Sequence, residues 1–337
     1  MREIVVVTGA SAGVGRAVAH AFARRGARIG LIARDARALE EVRGEVERLG
    51  GQGLPLPADV ADAAQVESAA ERAERELGPI DIWVNDAMAT VFAPFDAITP
   101  EEFRRATDVT YLGYVHGTMA ALKRMKPRDR GTIVQVGSAL AYRSIPLQSP
   151  YCGAKAAIRA FTDSLRCELL HDRAQVRLTM VHLPAVNTPQ FDWALTRMPG
   201  KPRPVAPVYQ PELAARAIVW AAGAGRREVL VGPATVLAIW ANKFAPGLID
   251  RYLARTNYQA QQRSRPASPA APSNLFQTVG AGHRTRGSFD DEAREDSLQW
   301  TLSRHRRWLA AGAVALGLAA LALSRPGRAG GRVRPTR

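Results

Sequence analysis

Glu3-Ile4-Val5-Val6-Val7-Thr8-Gly9-Ala10-Ser11-Ala12-Gly13-Val14-Gly15 is the stretch on which the reading of this chain turns. Residues 3–8 are a short apolar run without alternation, as in a strand buried on both faces. A glycine-rich turn follows, and Val14, Val18, Ala21 and Phe22 then fall at helical spacing up to about Gly26. Strand, glycine turn and helix in that order is the context in which glycines bring backbone amides close to a pyrophosphate, whose charge faces the helix N-terminus. Taken alone, the same glycine pattern also suits a tight turn with no ligand.

Outward from this unit, residues 28–33, 54–58, 80–84, 132–136, 176–183 and 228–231 repeat the unalternating apolar pattern, with helical stretches between them. Thr99-Pro100-Glu101-Glu102 has the spacing of a capping box and opens a helix predicted to run past Gly113 to about Met125. Ser149 reads as an N-cap, with Pro150 in the first turn of the helix that follows. This alternation predicts an α/β fold, a doubly wound, seven-stranded parallel sheet of the Rossmann type with helices on both faces. The ligand crevice of such a sheet lies beyond the carboxyl ends of its strands. The glycine turn, Arg34, Asp59, Asn85, Ser138 and Pro184 all fall at such ends.

Two of those ends carry readable chemistry. Dinucleotide folds that prefer NAD usually place an acidic side chain at the end of the second strand, for the adenosine ribose hydroxyls. Ala33 stands there instead and Arg34 follows it. A guanidinium suits a 2′-phosphate, which favours NADP(H) over NAD(H); the alternative is a surface arginine opening a charged helix. Tyr151 and Lys155 lie one helical turn apart, and Ser138 lies just past the strand 132–136. A phenol, an ammonium and a hydroxyl brought to one place could run proton transfer to a carbonyl or alkoxide. Taken alone, the Tyr-x-x-x-Lys pair reads as an ordinary exposed helix pair. Phe92, Phe95, Leu140, Tyr142, Ile145, Phe191 and Trp193 fall in loops expected near the crevice and suggest an apolar binding site, or packing of the fold. Cys152 has no evident base beside it and reads as a packing residue, as do the scattered His116, His171 and His182.

The constellation resembles the short-chain dehydrogenase/reductase family over roughly residues 3–232. The Thr-Gly-x-x-x-Gly-x-Gly motif is complete at Thr8 to Gly15, an Asp-Val pair stands at Asp59-Val60, and the Ser…Tyr-x-x-x-Lys set is complete at Ser138, Tyr151 and Lys155. The resemblance implies hydride transfer between a nicotinamide cofactor and a carbonyl or secondary alcohol, with Tyr151 as acid or base, Ser138 orienting the oxygen and Lys155 favouring the phenolate. It implies cofactor contacts from Gly9, Ser11, Gly13, Val14, Gly15, Asp59, Val60, Asn85, Ala87, Lys155, Pro184 and Thr188, besides Arg34, and association into homo-oligomers. The family's Asn-Asn-Ala-Gly reads Asn85-Asp86-Ala87-Met88 here, and the asparagine that often serves as a fourth catalytic residue reads Thr110. A non-catalytic dinucleotide-binding scaffold or sensor with the same fold is the alternative.

Composition agrees with an enzyme of a reducing, cytoplasmic setting. The two cysteines, Cys152 and Cys167, form no disulfide framework and no metal-ligand spacing, and residues 1–3 lead directly into a strand without room for a signal peptide. A net charge of +15 would suit nucleic acid, but eight arginines and no acidic residue follow Trp300, and the first 250 residues mix both signs. Residues 1–255 are therefore assigned to an NADP-binding catalytic domain and 256–303, rich in Pro, Ser and Arg, to a disordered linker. Residues 304–337 form a basic tail with an apolar helix at 308–323, read as a membrane anchor or surface-docked helix; its length is marginal for a span.

Overall fold

Unalternating apolar runs demand cover on both faces, and the seven strands of the central sheet have it. In the computed structural model, which describes residues 2–268 and 271–306, they are β1 (Ile4–Thr8), β2 (Arg28–Ala33), β3 (Gln52–Pro57), β4 (Ile82–Asn85), β5 (Thr132–Ser138), β6 (Arg177–Leu183) and β7 (Glu228–Leu230). They are all parallel, in the order β7-β6-β5-β4-β1-β2-β3. The chain thus starts mid-sheet, builds one side to β3, and crosses back beside β1 to build the other. The switch point between β1 and β4 opens the crevice that the topology predicts. Register sets the strand ends side by side: Val7 pairs with Val84, and Ser138 with Leu183.

The covering helices are α1 (Gly13–Ala23), α2 (Ala36–Arg48), α3 (Ala63–Leu77), α4 (Pro100–Thr107), α5 (Gly113–Met125), α6 (Ser149–His171) and α7 (Pro211–Ala224). Their starts are written in local chemistry. Asp35 accepts from Ala38 N at 3.0 Å and Asp62 from Ala64 N at 2.9 Å, each at an N-cap. The Thr99–Glu102 capping box is present in both directions. One apolar core contains Val6, Ile32, Val66, Trp83, Ile133 and Leu178, so strands and helices from both halves of the chain share it.

Three expectations are revised. The helix from Thr99 to Met125 is interrupted by a π turn at Asp108–Leu112. There Thr110, wholly buried, both donates to Ala89 O (2.7 Å) and accepts from Ala89 N (2.9 Å), tying the helix to the loop after β4. Ser149 is the first residue of α6 rather than its N-cap: Gln148 takes that place, and the Ser149 hydroxyl is buried without a partner. Gln148 is itself engaged with Gln261 (2.6 Å). Residues 256–303 are not an unstructured linker where they are described. Helices α8 (Pro233–Phe244) and α9 (Pro246–Ala260) lead to a strand, Gln262–Pro266, that pairs antiparallel with Gly200–Pro202. The chain up to Ser297 belongs to the same compact unit as the sheet, and a second unit begins at Leu298, whose residues 298–306 are helical. Among the described residues no helix is long and apolar enough to cross a membrane. The apolar segment 308–323 lies outside the described residues.

Candidate active site

A cavity of about 410 Å³ runs along the carboxyl ends of the strands. From the glycine turn Gly9, Ser11, Gly13 and Val14 line it; from the next strand ends, Arg34, Asp59, Val60 and Ala87. Ser138, Tyr151, Lys155, Pro184 and Thr188 line it as well. Gly9 has φ +72°, and a Cβ there would lie 2.9 Å from the Ala87 Cα, so this position of the turn cannot carry a side chain.

Two expected cofactor residues stand elsewhere. A Cβ on Gly15 would come within 2.3 Å of the Gly9 carbonyl oxygen, so this glycine lets α1 approach the turn and does not line the cavity. Asn85 is buried behind it: its side chain accepts from Trp83 Nε1 (2.8 Å) and donates to Gln135 Oε1 (2.9 Å) and Thr118 Oγ1 (3.2 Å). Its hydrogen bonds are spent holding β4 to β5 and α5.

At the centre, Lys155 is 3% exposed. Its Nζ donates to the Tyr114 hydroxyl (2.9 Å) and the Val136 carbonyl (2.7 Å), and it lies 5.6 Å from the centre of the Tyr151 ring. Burial lowers its pKa below the ordinary value, opposed by the negative charge of Asp86. Burial pushes the Tyr151 phenol up, while a hydrogen bond with Ser138 works the other way. The Ser138 Oγ accepts from Leu140 N at 3.1 Å, capping a short turn, which leaves its O–H to donate. Asp86, which lines the same cavity, is raised by burial against the pull of Lys155 and the Gly15 amide.

Tyr114 is a site residue that motif reading does not supply; its one signal is a helical position four residues after Thr110. The Tyr114 hydroxyl donates to Val136 O (2.9 Å), completing the lysine's cradle. Of the apolar residues expected at the substrate side, Leu140, Ile145, Phe191 and Trp193 line the cavity. Phe92 packs in a separate cluster with Leu147, Ala194 and Met198, and Phe95 is 71% exposed. Tyr142 donates to Glu228 Oε2 (2.6 Å) with its ring against His182. His182 is buried beneath the strand end with Nδ1 3.1 Å from Ser138 O, and burial lowers its pKa. Cys152 is buried, which raises its thiol pKa. Among the described residues no group of three or more His, Cys, Asp or Glu side chains is placed to hold a metal ion.

The profile of the short chain dehydrogenases matches residues 3–196. The chain belongs to the short-chain dehydrogenase/reductase family. An uncharacterized oxidoreductase of Bacillus subtilis is 32% identical over 327 residues, 96% of this chain and 90% of that protein. The 3-dehydrosphinganine reductase of Danio rerio is 32% identical over 237 residues, 68% of this chain and 71% of that protein. Among solved structures, a 3-ketoacyl-ACP reductase from Sinorhizobium meliloti superposes with a TM-score of 0.59 at 26% identity, over 67% of this chain and 96% of that one. The short-chain dehydrogenase fold therefore accounts for the sheet and its cavity, and the chain is an oxidoreductase of this family using a nicotinamide dinucleotide.

Proposed function

We propose that this chain transfers hydride between NADP(H) and a carbonyl or secondary alcohol on a lipophilic substrate. The observation that carries the reading is one continuous cavity with Ser138, Tyr151 and Lys155 along it and Arg34 among its walls. The residues present fit a dinucleotide: the glycine turn lines the cavity with Gly9 and Gly13, where no side chain stands in the way of a close approach, and Arg34 Nη1 is buried without a partner, a donor suited to a phosphate or ribose oxygen.

The reduced cofactor supplies the hydride. The chain's own residues handle the oxygen and its proton: Ser138 donates a hydrogen bond to the carbonyl oxygen, and the Tyr151 O–H gives it the proton. Lys155, held by Tyr114 and Val136 O, stabilises the phenolate left behind. Its buried setting makes that charge count for more than it would in water. Thr110 takes no part, because its hydroxyl is engaged with Ala89 in both directions. Apolar walls from Leu140, Ile145, Phe191 and Trp193 favour a ketone on a long aliphatic chain, and two relatives named for reduction of 3-dehydrosphinganine and of 3-ketoacyl-ACP support that choice.

The test is cofactor oxidation by purified protein with a panel of ketones, aldehydes and lipid carbonyls, run with NADPH and with NADH. Tyr151→Phe should lower turnover by about 100- to 10,000-fold with NADPH binding nearly unchanged. Retention of more than a tenth of the activity overturns the assignment. Binding of NADPH with no turnover on any substrate would favour the scaffold reading.

A further inference from the structure

The cavity has a wall that neither the sheet nor the family-matched residues 3–196 supply. Residues 273–290, reached after α9, lie across it as a strap. Leu275 is wholly buried in the main apolar core, and its carbonyl accepts from Arg105 Nε at 3.0 Å. Arg34 donates to the carbonyls of Asn274 and Gln277. Further along, the His283 carbonyl accepts from Arg16 (2.8 Å) and the Arg284 carbonyl from Gly13 N in the glycine turn (3.0 Å). Gly287 N then bonds Asn187 O at 3.1 Å. The strap is thus tied to the ends of β1, β2 and β6 and to α4.

Asn274 and His283 of this strap line the cavity together with Arg34. In each of the three, one polar atom is buried with no hydrogen-bond partner: Asn274 Oδ1, His283 Nδ1 and Arg34 Nη1. Buried polar groups are almost always satisfied, so three in one wall mark a place where a ligand completes the set. His283 Nε2 lies 2.7 Å from the Val279 carbonyl and 3.3 Å from Asp35 Oδ2, so Nε2 donates and in the neutral ring Nδ1 is left to accept. The free set is therefore two acceptors and one donor. A purine amino group and ribose hydroxyls donate, and a phosphate or ribose oxygen accepts; the place of the set, beside Arg34 just past the end of β2, is where dinucleotide folds hold the adenosine ribose.

We propose that Asn274 and His283 bind the adenosine end of the dinucleotide, accepting from its amino or hydroxyl groups while Arg34 donates to an oxygen beside them. The strap is then a part of the cofactor site added to the family's fold. This rests on the nicotinamide-cofactor reading above. The relative from Bacillus subtilis, aligned over 96% of this chain, is similar well beyond the family-matched residues, whereas the 3-ketoacyl-ACP reductase structure covers only 67%.

The test uses the full chain and fluorescence titration with NADPH, NADH and reduced nicotinamide mononucleotide, which has no adenosine. Asn274→Ala combined with His283→Ala should raise Kd at least about tenfold for whichever dinucleotide binds, leave the mononucleotide within about twofold, and leave the chain folded. In the unmodified protein, saturating NADPH should slow amide hydrogen exchange across residues 273–290, a measurement that decides the matter if the double variant folds poorly. Unchanged dinucleotide binding in a folded double variant, an equal loss of mononucleotide binding, or unchanged exchange in the strap overturns the proposal. Equal affinity of the unmodified chain for NADPH and NADH overturns only the NADP(H) preference, and no binding of any of the three overturns both readings.

Discussion

Asp86 stands where the family motif has asparagine, and at the scale of single residues it is the substitution with most leverage on the chemistry. Its carboxylate raises the pKa of both Lys155 and Tyr151, since a nearby negative charge favours an ammonium and disfavours a phenolate. Asp86→Asn removes that charge, so both groups should lose their protons at lower pH than in the unmodified protein. The rise in alcohol oxidation with pH, which needs the phenolate, should move toward acid, as a pH–rate profile of kcat would read. A profile that stays put or moves toward base would exclude Asp86 as the group that tunes the pair. The sequence shows Asp86 only as a departure from a motif; its burial on the same cavity wall as Lys155 is a product of the fold. Asn85 teaches the converse. It matches the motif, yet its side chain is consumed by Trp83, Gln135 and Thr118.

Among the elements, the helix pair α4 and α5 shows how one polar side chain reshapes a helix. Helical periodicity continues through residues 108–112, so pattern alone cannot reveal the π turn. What opens it is tertiary: Thr110 satisfies both backbone groups of Ala89 on the neighbouring loop. Thr110→Val keeps the shape but leaves a buried N–H and C=O unpaired, which should cost about 1–3 kcal/mol in denaturant unfolding. NADPH affinity should stay within about twofold, because the residue does not line the cavity. A variant that keeps its stability and loses turnover would instead restore Thr110 to the proton relay. The capping box at Thr99 was readable because both partners lie within one turn; the misplacement of Ser149 arises because the chain enters α6 from a Gln148 held by a residue 113 positions away.

Over the whole molecule, the question is whether the strap is one cooperative structure with the sheet. Leu275 is wholly buried in the central core, and truncating such a side chain typically costs about 2–5 kcal/mol through lost burial and the cavity left behind. If strap and sheet unfold together, Leu275→Ala should lower global stability by about that amount. A loss below about 0.5 kcal/mol, with local loosening of residues 273–290 seen by hydrogen exchange, would show that the strap opens independently. Composition misreads this segment for a physical reason. Its polar, glycine-containing sequence offers few large apolar residues, of which Leu275 and Phe289 are buried, and much of its attachment runs through its own carbonyls to arginines elsewhere in the chain. A backbone carbonyl has no letter in the sequence.

The sequence by itself determined the parallel sheet, its order of alternating helices, the glycine turn and the placing of Ser138, Tyr151 and Lys155 at strand and helix ends. Each of these is written in local periodicity or in a motif of a few residues. Only the tertiary structure decided that Asn85 and Gly15 stand behind the cavity, that Tyr114 cradles Lys155, and that a segment whose His283 meets Arg16 across 267 residues of chain forms its remaining wall. Those outcomes depend on which distant groups meet, and a pairing across the chain has no local pattern to announce it.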